Sequence, residues 1–270
     1  YAKKKHIKSI CIEHGTSHLS VHNKVLDFVG GVYEHFHTGI LKKICKHYYG
    51  VSEACREWSA HFGIQSEGVL YNAVDLNKIE RLKENCNRDF RREFLIKEDD
   101  QVIVFTGRLL KEKGIYELIE AVEQFNKTHK PVYLMIAGEG EEKEYVESHK
   151  SEYIIPLGRL QFQDVIALLE QSDIFCLPSV SEGMPTSVME AIACHNFVIT
   201  TERGGAKEII VDDSYGIILE NNKKDLVEKA LLRSMENRKY RISATEKSYE
   251  RLIKGFTWEK VADKIEHEFL

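Results

Sequence analysis

Short apolar runs alternate with longer amphipathic stretches along most of this chain. The run QVIVFTG, for example, is followed by a stretch in which Ile115, Leu118, Ile119, Val122 and Phe125 recur at helical spacing. Strands that alternate with helices in this way are typical of an α/β protein with a doubly wound parallel sheet. Because crossovers between parallel strands are right-handed, all strands should present their carboxyl ends at one edge. The later apolar runs that fit this pattern are VYLMIAG, YIIPLG, DIFCLP, FVITT and YGIIL.

The first part of the chain has a less regular pattern. We predict a buried strand over residues 7–12, a break at Gly30-Gly31 and a helix over residues 33–46. A second strand is predicted at HYYGVS, and Ser52 is suited to cap the helix that follows it. Further along the chain, we predict one polar helix over residues 77–95 and another helix over residues 163–171.

Composition indicates a globular protein and gives no reason to expect a nucleic-acid partner. The chain has 270 residues, 43% hydrophobic and 30% charged, with a formal net charge of −5. The basic runs at residues 1–8 and 41–47 are interpreted as solvated surface. The alternative is a face that makes peripheral contact with anionic lipid at a membrane, or with an anionic acceptor. No apolar run reaches the about 18 residues of a membrane-spanning helix.

The cysteines indicate a reducing compartment. The six cysteines form no CxxC pair, and Cys11, Cys176 and Cys194 lie in apolar segments. A free thiol in such a segment behaves as a small hydrophobic side chain. The first residues also lack the apolar stretch of a signal peptide. We therefore expect a cytoplasmic protein, with peripheral membrane contact as the alternative above.

The stretch SDIFCLPSVSEGMPTSVMEAIAC carries the strongest candidate chemistry. It predicts a buried strand, a loop of small residues and a helix opened by Pro185, with Glu182 before the helix and Glu190 inside it. The first N–H groups of a helix lack backbone partners and favour anions. Thr186 and Ser187 add hydroxyl groups, so we expect an anionic ligand at this helix terminus.

Two basic residues are predicted to lie on the same rim of the sheet. Arg108 and Lys113 follow the strand QVIVFTG, and parallel strands place such loops together with the loop before Pro185. Two cations beside a helix N-terminus suit a polyanion such as a diphosphate. The alternative for each residue taken alone is a solvated loop position.

His14, His18 and His22 are spaced four residues apart, a pattern that could indicate a metal site. On a helix they would share one face. However, Gly15 indicates that His14 ends a strand, and no cysteine or carboxylate cluster completes a ligand set nearby. We therefore expect no metal ion at these histidines.

Several segments resemble family 4 glycosyltransferases. Gly107-Arg108 through Lys113-Gly114 resembles the family's GRxxxxKG segment, and Glu182 through Glu190 resembles its E-x7-E motif. Shorter matches fall in the same order at Gly138, Gly158, Pro178, Gly204-Gly205 and Glu208. The resemblance covers roughly residues 68–215 closely and the flanks loosely.

The resemblance implies a GT-B fold, in which two Rossmann-like domains face each other across the donor cleft. It implies a partial N-terminal, acceptor-side domain over residues 1–75 and a nucleotide-sugar-binding domain over residues 76–254. Residues 255–270 would form a helix that crosses back to the first domain, anchored by Phe256 and Trp258. In the family, a complete N-terminal domain has further strand–helix units before the strand that corresponds to residues 7–12. We therefore expect an incomplete acceptor side with exposed apolar surface.

The resemblance also implies roles for individual residues. Arg108 and Lys113 would bind the diphosphate, Glu190 the ribose, and the backbone after Gly158 the base. Glu182 and His14 would face the transferred sugar as catalytic residues. The alternative for His14 is an ordinary loop histidine with its hydrogen bonds satisfied. The full donor-binding set is Gly107, Arg108, Lys113, Gly158, Arg159, Leu160, Gly183, Met184, Pro185, Thr186, Ser187 and Glu190.

The reaction that the resemblance implies is retaining, metal-independent transfer from a nucleotide-diphospho-sugar to a glycan or lipid-linked acceptor. The nucleotide-sugar is a substrate, so no cofactor is expected. UDP is expected as the donor nucleotide. Two alternatives remain open. One is a GT-B-fold epimerase or hydrolase acting on a nucleotide-sugar, and the other is a non-catalytic or truncated nucleotide-sugar-binding protein.

Overall fold

The strands form two parallel sheets in the computed structural model, which describes residue 5, residues 7–18 and residues 23–269. The first sheet has the order β1–β2–β3 and the second the order β6–β5–β4–β7–β8–β9, and the paired strands are parallel. The strands are β1 (Ile10–Glu13), β2 (His47–Gly50), β3 (Gly68–Val69), β4 (Val102–Thr106), β5 (Tyr133–Ala137), β6 (Ile154–Gly158), β7 (Ile174–Leu177), β8 (Phe197–Thr201) and β9 (Ile217–Leu219).

Helices separate most consecutive strands, and three of them close the chain. They are α1 (Lys24–Ile44), α2 (Glu53–Ser59), α3 (Leu76–Asn85), α4 (Phe90–Glu93), α5 (Ile115–Thr128), α6 (Lys143–Ser148), α7 (Phe162–Glu170), α8 (Thr186–Ala193), α9 (Ala206–Ile209), α10 (Lys224–Glu236), α11 (Arg238–Gly255) and α12 (Trp258–Phe269). Two short 3₁₀ turns, Ala60–Phe62 and Lys111–Lys113, complete the pattern.

The six-stranded sheet confirms the predicted doubly wound α/β architecture. Every residue of β4, β5, β7 and β8 is buried, as expected for strands covered by helices on both faces. The strand order reverses between β4 and β7. Open α/β sheets bind ligands outside the carboxyl ends of their strands at such a reversal. A ligand site is therefore expected at the loops that follow β4 and β7.

The predicted break at Gly30-Gly31 is wrong, because α1 runs through both glycines. The Asn23 side chain accepts hydrogen bonds from the N–H groups of Val25 and Leu26 and so starts the helix well before them. A glycine inside a helix costs only about 0.5–1 kcal/mol, which a helix of 21 residues tolerates.

The segment between β3 and β4 also differs from expectation. One polar helix was predicted over residues 77–95, but α3 and α4 occupy this segment separately. Asp75 caps α3 by accepting from Lys78 N at 2.8 Å, and Asp89 caps α4 by accepting from Arg92 N at 2.9 Å. An aspartate that bonds its own following backbone favours a new helix start over continuation.

The last helix returns to the first sheet. Trp258 N donates a hydrogen bond of 3.2 Å to Val74 O. Lys264 Nζ donates one of 2.8 Å to Val69 O of β3. Phe256 is buried against Tyr71, with ring centroids 4.6 Å apart. Trp258 is 52% exposed, so of the two predicted anchors Phe256 contributes the buried ring. The domain boundaries themselves stay predictions.

Helix α1 exposes an extensive apolar surface. It has no buried residue, although its sequence is rich in large apolar side chains. No helix in the described part of the chain has the length and apolar character needed to cross a membrane. The exposed apolar residues of α1 are Val25, Leu26, Phe28, Val29, Val32, Tyr33, Phe36, Ile40, Leu41 and Ile44.

Candidate functional site

A cavity of about 360 Å³ opens at the strand-order reversal, between the loops that follow β4, β6 and β7. It brings together most of the residues that the sequence predicted for the site. Gly158, Gly183 and His14 are not among its lining residues. Those that line it are Gly107, Arg108, Lys113, Arg159, Leu160, Glu182, Met184, Pro185, Thr186, Ser187 and Glu190.

Lys113 is held in place by contact between its own turn and the loop after β7. Val180 N and Ser179 Oγ both donate to the carbonyl oxygen of Glu112, at 2.8 and 2.9 Å. Gly114 has a φ of +72°, and a Cβ there would lie 2.1 Å from the Pro178 carbonyl oxygen. Glycine is therefore required for this close approach, which brings Lys113 to the cavity wall.

Lys113 forms an ion pair with Glu182 inside the cavity. Lys113 Nζ lies 2.7 Å from Glu182 Oε1, and the two side chains are 16% and 10% exposed. Such a pair compensates two charges that are largely removed from solvent. It also keeps the ammonium group and the carboxylate at fixed positions before any ligand binds.

The N-terminus of α8 supplies backbone donors on the same cavity. Pro185 stands at the N-cap position and makes no side-chain capping bond, so the first amides of the helix receive no side-chain partner from it. Thr186 and Ser187 line the cavity at this terminus. Arg108 is exposed in the loop after β4 and faces the same space. Two cations and a helix terminus thus surround one volume, as an anionic ligand requires.

Glu190 differs from Glu182 in its electrostatic setting. It lies in the second turn of α8, lines the cavity, and burial raises its pKa to about 7. Near neutral pH this side chain is therefore able both to donate and to accept hydrogen bonds. The two carboxyl groups of the predicted motif are thus distinguished: one is ion-paired, the other is desolvated.

His14 reaches the site through its backbone. A Cβ on Gly183 would lie 2.0 Å from the His14 carbonyl oxygen, so the loop after β1 packs directly on the loop before α8. Thr16 Oγ1 adds a hydrogen bond of 3.1 Å to the Glu182 carbonyl oxygen. The His14 side chain is exposed, and its predicted catalytic role stays a prediction.

Sequence reasoning missed several residues of the cavity wall. Phe162 and Val165 of α7 line the cavity together with Arg159 and Leu160, and Phe162 is the first residue of the helix, one position before its predicted start. The ring is 37% exposed, and Lys78 Nζ lies 5.1 Å from its centroid. The sequence signal for this wall was the aromatic residue Phe162, which lies two positions after Leu160. The other missed lining residues are Thr106, Ala137, Gly138 and Leu177.

A doubly wound parallel sheet with a cationic cavity at its reversal point defines a class of domains that bind nucleotides or similar anions. Comparison with known families narrows this class. The family model "Glycosyl transferases group 1" matches residues 87–251, and the chain belongs to this family.

Curated relatives carry glycosyltransferase names. The chain is 28% identical over 245 residues to the putative teichuronic acid biosynthesis glycosyltransferase TuaC of Bacillus subtilis, which covers 88% of this chain and 61% of TuaC. It is 24% identical over 261 residues to an uncharacterised glycosyltransferase of Methanocaldococcus jannaschii. This match covers 94% of the present chain and 65% of the relative. The chain thus spans less than two thirds of the length of either relative.

Solved structures confirm the GT-B fold expected from the sequence. The crystal structure of Anabaena HepE in complex with UDP superposes with a TM-score of 0.79 at 17% identity, and the match covers 99% of this chain and 73% of HepE. Staphylococcus aureus TarM, in a complex that includes UDP, superposes with a TM-score of 0.75 at 18% identity, covering 97% and 51%. At sequence identities of 17% and 18%, these matches indicate a shared fold only.

Proposed function

We propose that this chain binds a nucleotide-diphospho-sugar, with UDP as the nucleotide, and forms the donor half of a retaining glycosyltransferase. The observation that carries the proposal is the convergence of Arg108, Lys113, Glu182, Glu190 and the α8 N-terminus on one cavity. HepE was crystallised with UDP and with UDP-glucose, which supports UDP as the nucleotide to test first.

The diphosphate would lie between Arg108, Lys113 and the first amides of α8. Transfer of the sugar breaks the bond to the β-phosphate, so negative charge develops on that phosphate. Donors already fixed around it stabilise this charge more in the transition state than in the ground state. The ion pair with Glu182 holds Lys113 at this position.

Glu190 and the start of α7 would bind the nucleoside. A carboxyl group whose pKa burial raises to about 7 suits the two hydroxyl groups of a ribose, since it is able to donate as well as accept. The backbone at Arg159 and Leu160 would face the base, and the Phe162 ring at the cavity wall offers a stacking surface.

The transferred sugar would contact Glu182 and the amides of Gly183 and Met184. His14 would approach the sugar from the first domain, since its backbone already packs on Gly183. If His14 acts in transfer, His14→Ala should lower turnover and leave UDP affinity unchanged. An equal loss of both would place His14 in binding or folding instead.

We propose that donor binding needs no metal ion. In enzymes that use Mg²⁺ the ion neutralises the diphosphate. Here Arg108 and Lys113 supply positive charge in the cavity, and one of its two acidic residues is already paired with Lys113. UDP affinity should therefore be the same with and without added Mg²⁺, and a large gain with Mg²⁺ would contradict the proposal.

The acceptor is proposed to be a glycan or a lipid-linked glycan. A glycan acceptor is supported by the similarity to TuaC, which is named as a putative teichuronic acid biosynthesis glycosyltransferase. Because the chain spans 61% of TuaC, the acceptor and the activity of the whole protein are part of the proposal.

Calorimetry with UDP, GDP and ADP tests the binding proposal, and release of free sugar from UDP-glucose tests the chemistry. UDP binding with donor hydrolysis supports a transferase. UDP binding without turnover favours a nucleotide-sugar-binding protein, and interconversion of the sugar without hydrolysis favours an epimerase. If none of the three nucleotides binds, the proposed function is wrong.

We further propose a cytoplasmic location with peripheral membrane contact through α1. The helix exposes an apolar surface that includes Phe28 and Phe36, and Lys42 and Lys43 stand in its last turn. Apolar and basic residues on one helix are typical of binding to anionic lipid surfaces. The chain should sediment with phosphatidylglycerol vesicles, and the variant Phe28→Ser/Phe36→Ser should not. Absence of vesicle binding would contradict this part of the proposal.

A further inference from the structure

Three histidines that do not line the donor cavity converge on one point. His18 lies in the loop after β1, His35 on α1, and His61 in the 3₁₀ turn after α2. The distance between the Nε2 atoms of His18 and His61 is 2.9 Å, and between those of His35 and His61 it is 3.2 Å. One ring nitrogen from each histidine lies within 4.8 Å of the others.

The surroundings fix the orientation of His18. Its Nδ1 is hydrogen-bonded to the Glu34 carboxylate, which only accepts, so the proton of the neutral ring resides on Nδ1. The Nε2 atom of His18 therefore carries the lone pair, and it lies 2.9 Å from His61 Nε2. A histidine whose second nitrogen is held by a carboxylate is the usual arrangement of a metal ligand.

Hydrogen bonds between the three rings do not account for the short distances between their nitrogen atoms. His61 Nε2 lies within hydrogen-bond distance of two other ring nitrogens, but one imidazole nitrogen carries at most one proton or one lone pair. It is therefore able to make a good hydrogen bond to one neighbour only. A shared cation accepts a lone pair from all three rings at once.

Packing also restrains the rings. Trp58 stacks on His61 with a centroid distance of 4.6 Å and an interplanar angle of 7°, and it meets His18 edge-on at 5.2 Å. Lys42 of α1 donates to the Phe62 carbonyl oxygen at 2.8 Å, which ties the helix to the turn that carries His61. The site is thus assembled from three segments that other contacts already hold together.

We propose that His18, His35 and His61 bind one divalent transition-metal ion of the zinc class, with Glu34 positioning His18. Zinc binds histidine nitrogen at about 2.0–2.1 Å, so two ligands of a tetrahedral site lie about 3.4 Å apart. The two short nitrogen separations need to change by only a few tenths of an ångström. His35 and His61 are exposed, which leaves the fourth position to water.

The three histidines that converge differ from His14, His18 and His22, the set spaced four residues apart in the sequence, at which no metal ion was expected. His14 ends on the other side of the loop, against Gly183, and His22 lies outside the described residues. His18 alone is common to both sets. Spacing along one helix was the wrong criterion, because the three ligands come from a loop, a helix and a turn.

A bound ion would brace the loop that reaches the donor cavity. Thr16 of this loop donates to the Glu182 carbonyl oxygen, and His18 lies two residues further on. The ion would join this loop to α1 and to the turn at His61. Metal binding itself does not depend on the proposed donor function, so the two proposals fail separately.

The test uses the purified chain without a histidine tag, first treated with a chelator. Calorimetry with Zn²⁺ should give one site per chain, and Co²⁺ should give the intense visible absorption of a four-coordinate ion. His18→Ala, His35→Ala and His61→Ala should each weaken Zn²⁺ binding about 100-fold or more. Glu34→Gln should weaken it about 10–100-fold, as for other carboxylates that hold a ligand histidine.

His37→Ala is the matched control, because His37 lies on the same exposed helix outside the cluster. It should leave Zn²⁺ affinity unchanged. Circular dichroism would verify that each variant folds, and His61→Gln provides a second variant of similar size if His61→Ala does not. The proposal is overturned if the wild-type chain binds no stoichiometric Zn²⁺. It is also overturned if folded variants of the three histidines bind Zn²⁺ as the wild type does.

Discussion

The Lys113 ammonium group lies 2.7 Å from the Glu182 carboxylate, although 69 residues separate them in the chain. The sequence had suggested separate roles, with Lys113 on the diphosphate and Glu182 on the sugar. In the structure each side chain holds the other at the cavity wall. A bound diphosphate would then share Lys113 with Glu182, so the pair links the two parts of the donor.

Removing either cation of the cavity should weaken nucleotide binding. Arg108→Ala and Lys113→Ala should each reduce UDP affinity by about 2 kcal/mol, or about 30-fold, because hydrogen bonds to charged groups contribute about that much. The effect of Lys113→Ala should be the larger, since it also leaves the Glu182 carboxylate unpaired beside the diphosphate. Calorimetric titration with UDP measures both.

Lys111→Ala serves as the control for this pair of variants. Lys111 carries the same charge in the same 3₁₀ turn as Lys113, is exposed, and does not line the cavity. Its replacement should change UDP affinity by less than about 0.5 kcal/mol, as is usual for surface positions. Equal losses for Lys111→Ala and Lys113→Ala would mean that general charge attraction, rather than the cavity, determines affinity.

Glu182→Gln should separate sugar recognition from nucleotide binding. The amide keeps the shape of the side chain but removes the negative charge that Lys113 now pairs with. UDP affinity should stay the same or rise, while donor hydrolysis should fall about 100-fold, the scale of losing one acid–base group. Comparing UDP with UDP-glucose by calorimetry and by sugar release measures both effects. If UDP affinity fell as much as turnover, Glu182 would belong to the nucleotide site.

Glu190 should make stability depend on pH. Burial raises the pKa of its carboxyl group from 4.5 to about 7, so between these values the folded chain binds more protons than the unfolded chain. The free energy of unfolding should therefore fall as pH rises through this window. Glu190→Gln removes the ionisation, so at pH 8 the variant should be more stable than wild type by about 1–3 kcal/mol.

Urea unfolding of wild type and Glu190→Gln at pH 4.5, 6 and 8 measures this difference. It should be small at the lowest pH and largest at the highest. A difference that is constant across the three values would show that ionisation of Glu190 does not contribute. The same variant should bind UDP more weakly than wild type, because an amide replaces the group proposed to contact the ribose.

Gly183 should be intolerant of a side chain. A Cβ at this position would lie 2.0 Å from the His14 carbonyl oxygen, and backbone atoms at that distance have to move. Gly183→Ala should therefore destabilise the protein by about 1–3 kcal/mol, the usual cost of overpacking. Urea unfolding measures the change, and loss of UDP-glucose hydrolysis would accompany it if the two loops separate.

The comparison for Gly183→Ala is Gly39→Ala on α1. No heavy atom lies within 4 Å of a Cβ built on Gly39. Because alanine favours the helix over glycine, this variant should gain about 0.5–1 kcal/mol. If both substitutions had the same sign, the contact between Gly183 and His14 would not be the cause.

The sequence predicted the order of strands and helices well where local and tertiary preferences agree. The apolar runs at β4, β5, β7 and β8 are buried on both faces, so their composition already indicates central parallel strands. Prediction failed where local signals competed. Gly30-Gly31 lies inside α1 because the cap at Asn23 starts the helix earlier, and Asp89 starts a helix where one was expected to continue.

By itself, the sequence determined that Arg108, Lys113, Glu182 and Glu190 share one rim, because parallel strands with right-handed crossovers place their carboxyl ends at one edge. Only the tertiary structure decided which of these groups touch. The pairing of Lys113 with Glu182, the burial of Glu190 and the meeting of three histidines all depend on distances across the fold. Local periodicity predicts the element on which a side chain lies, whereas its partners depend on how the elements pack against one another.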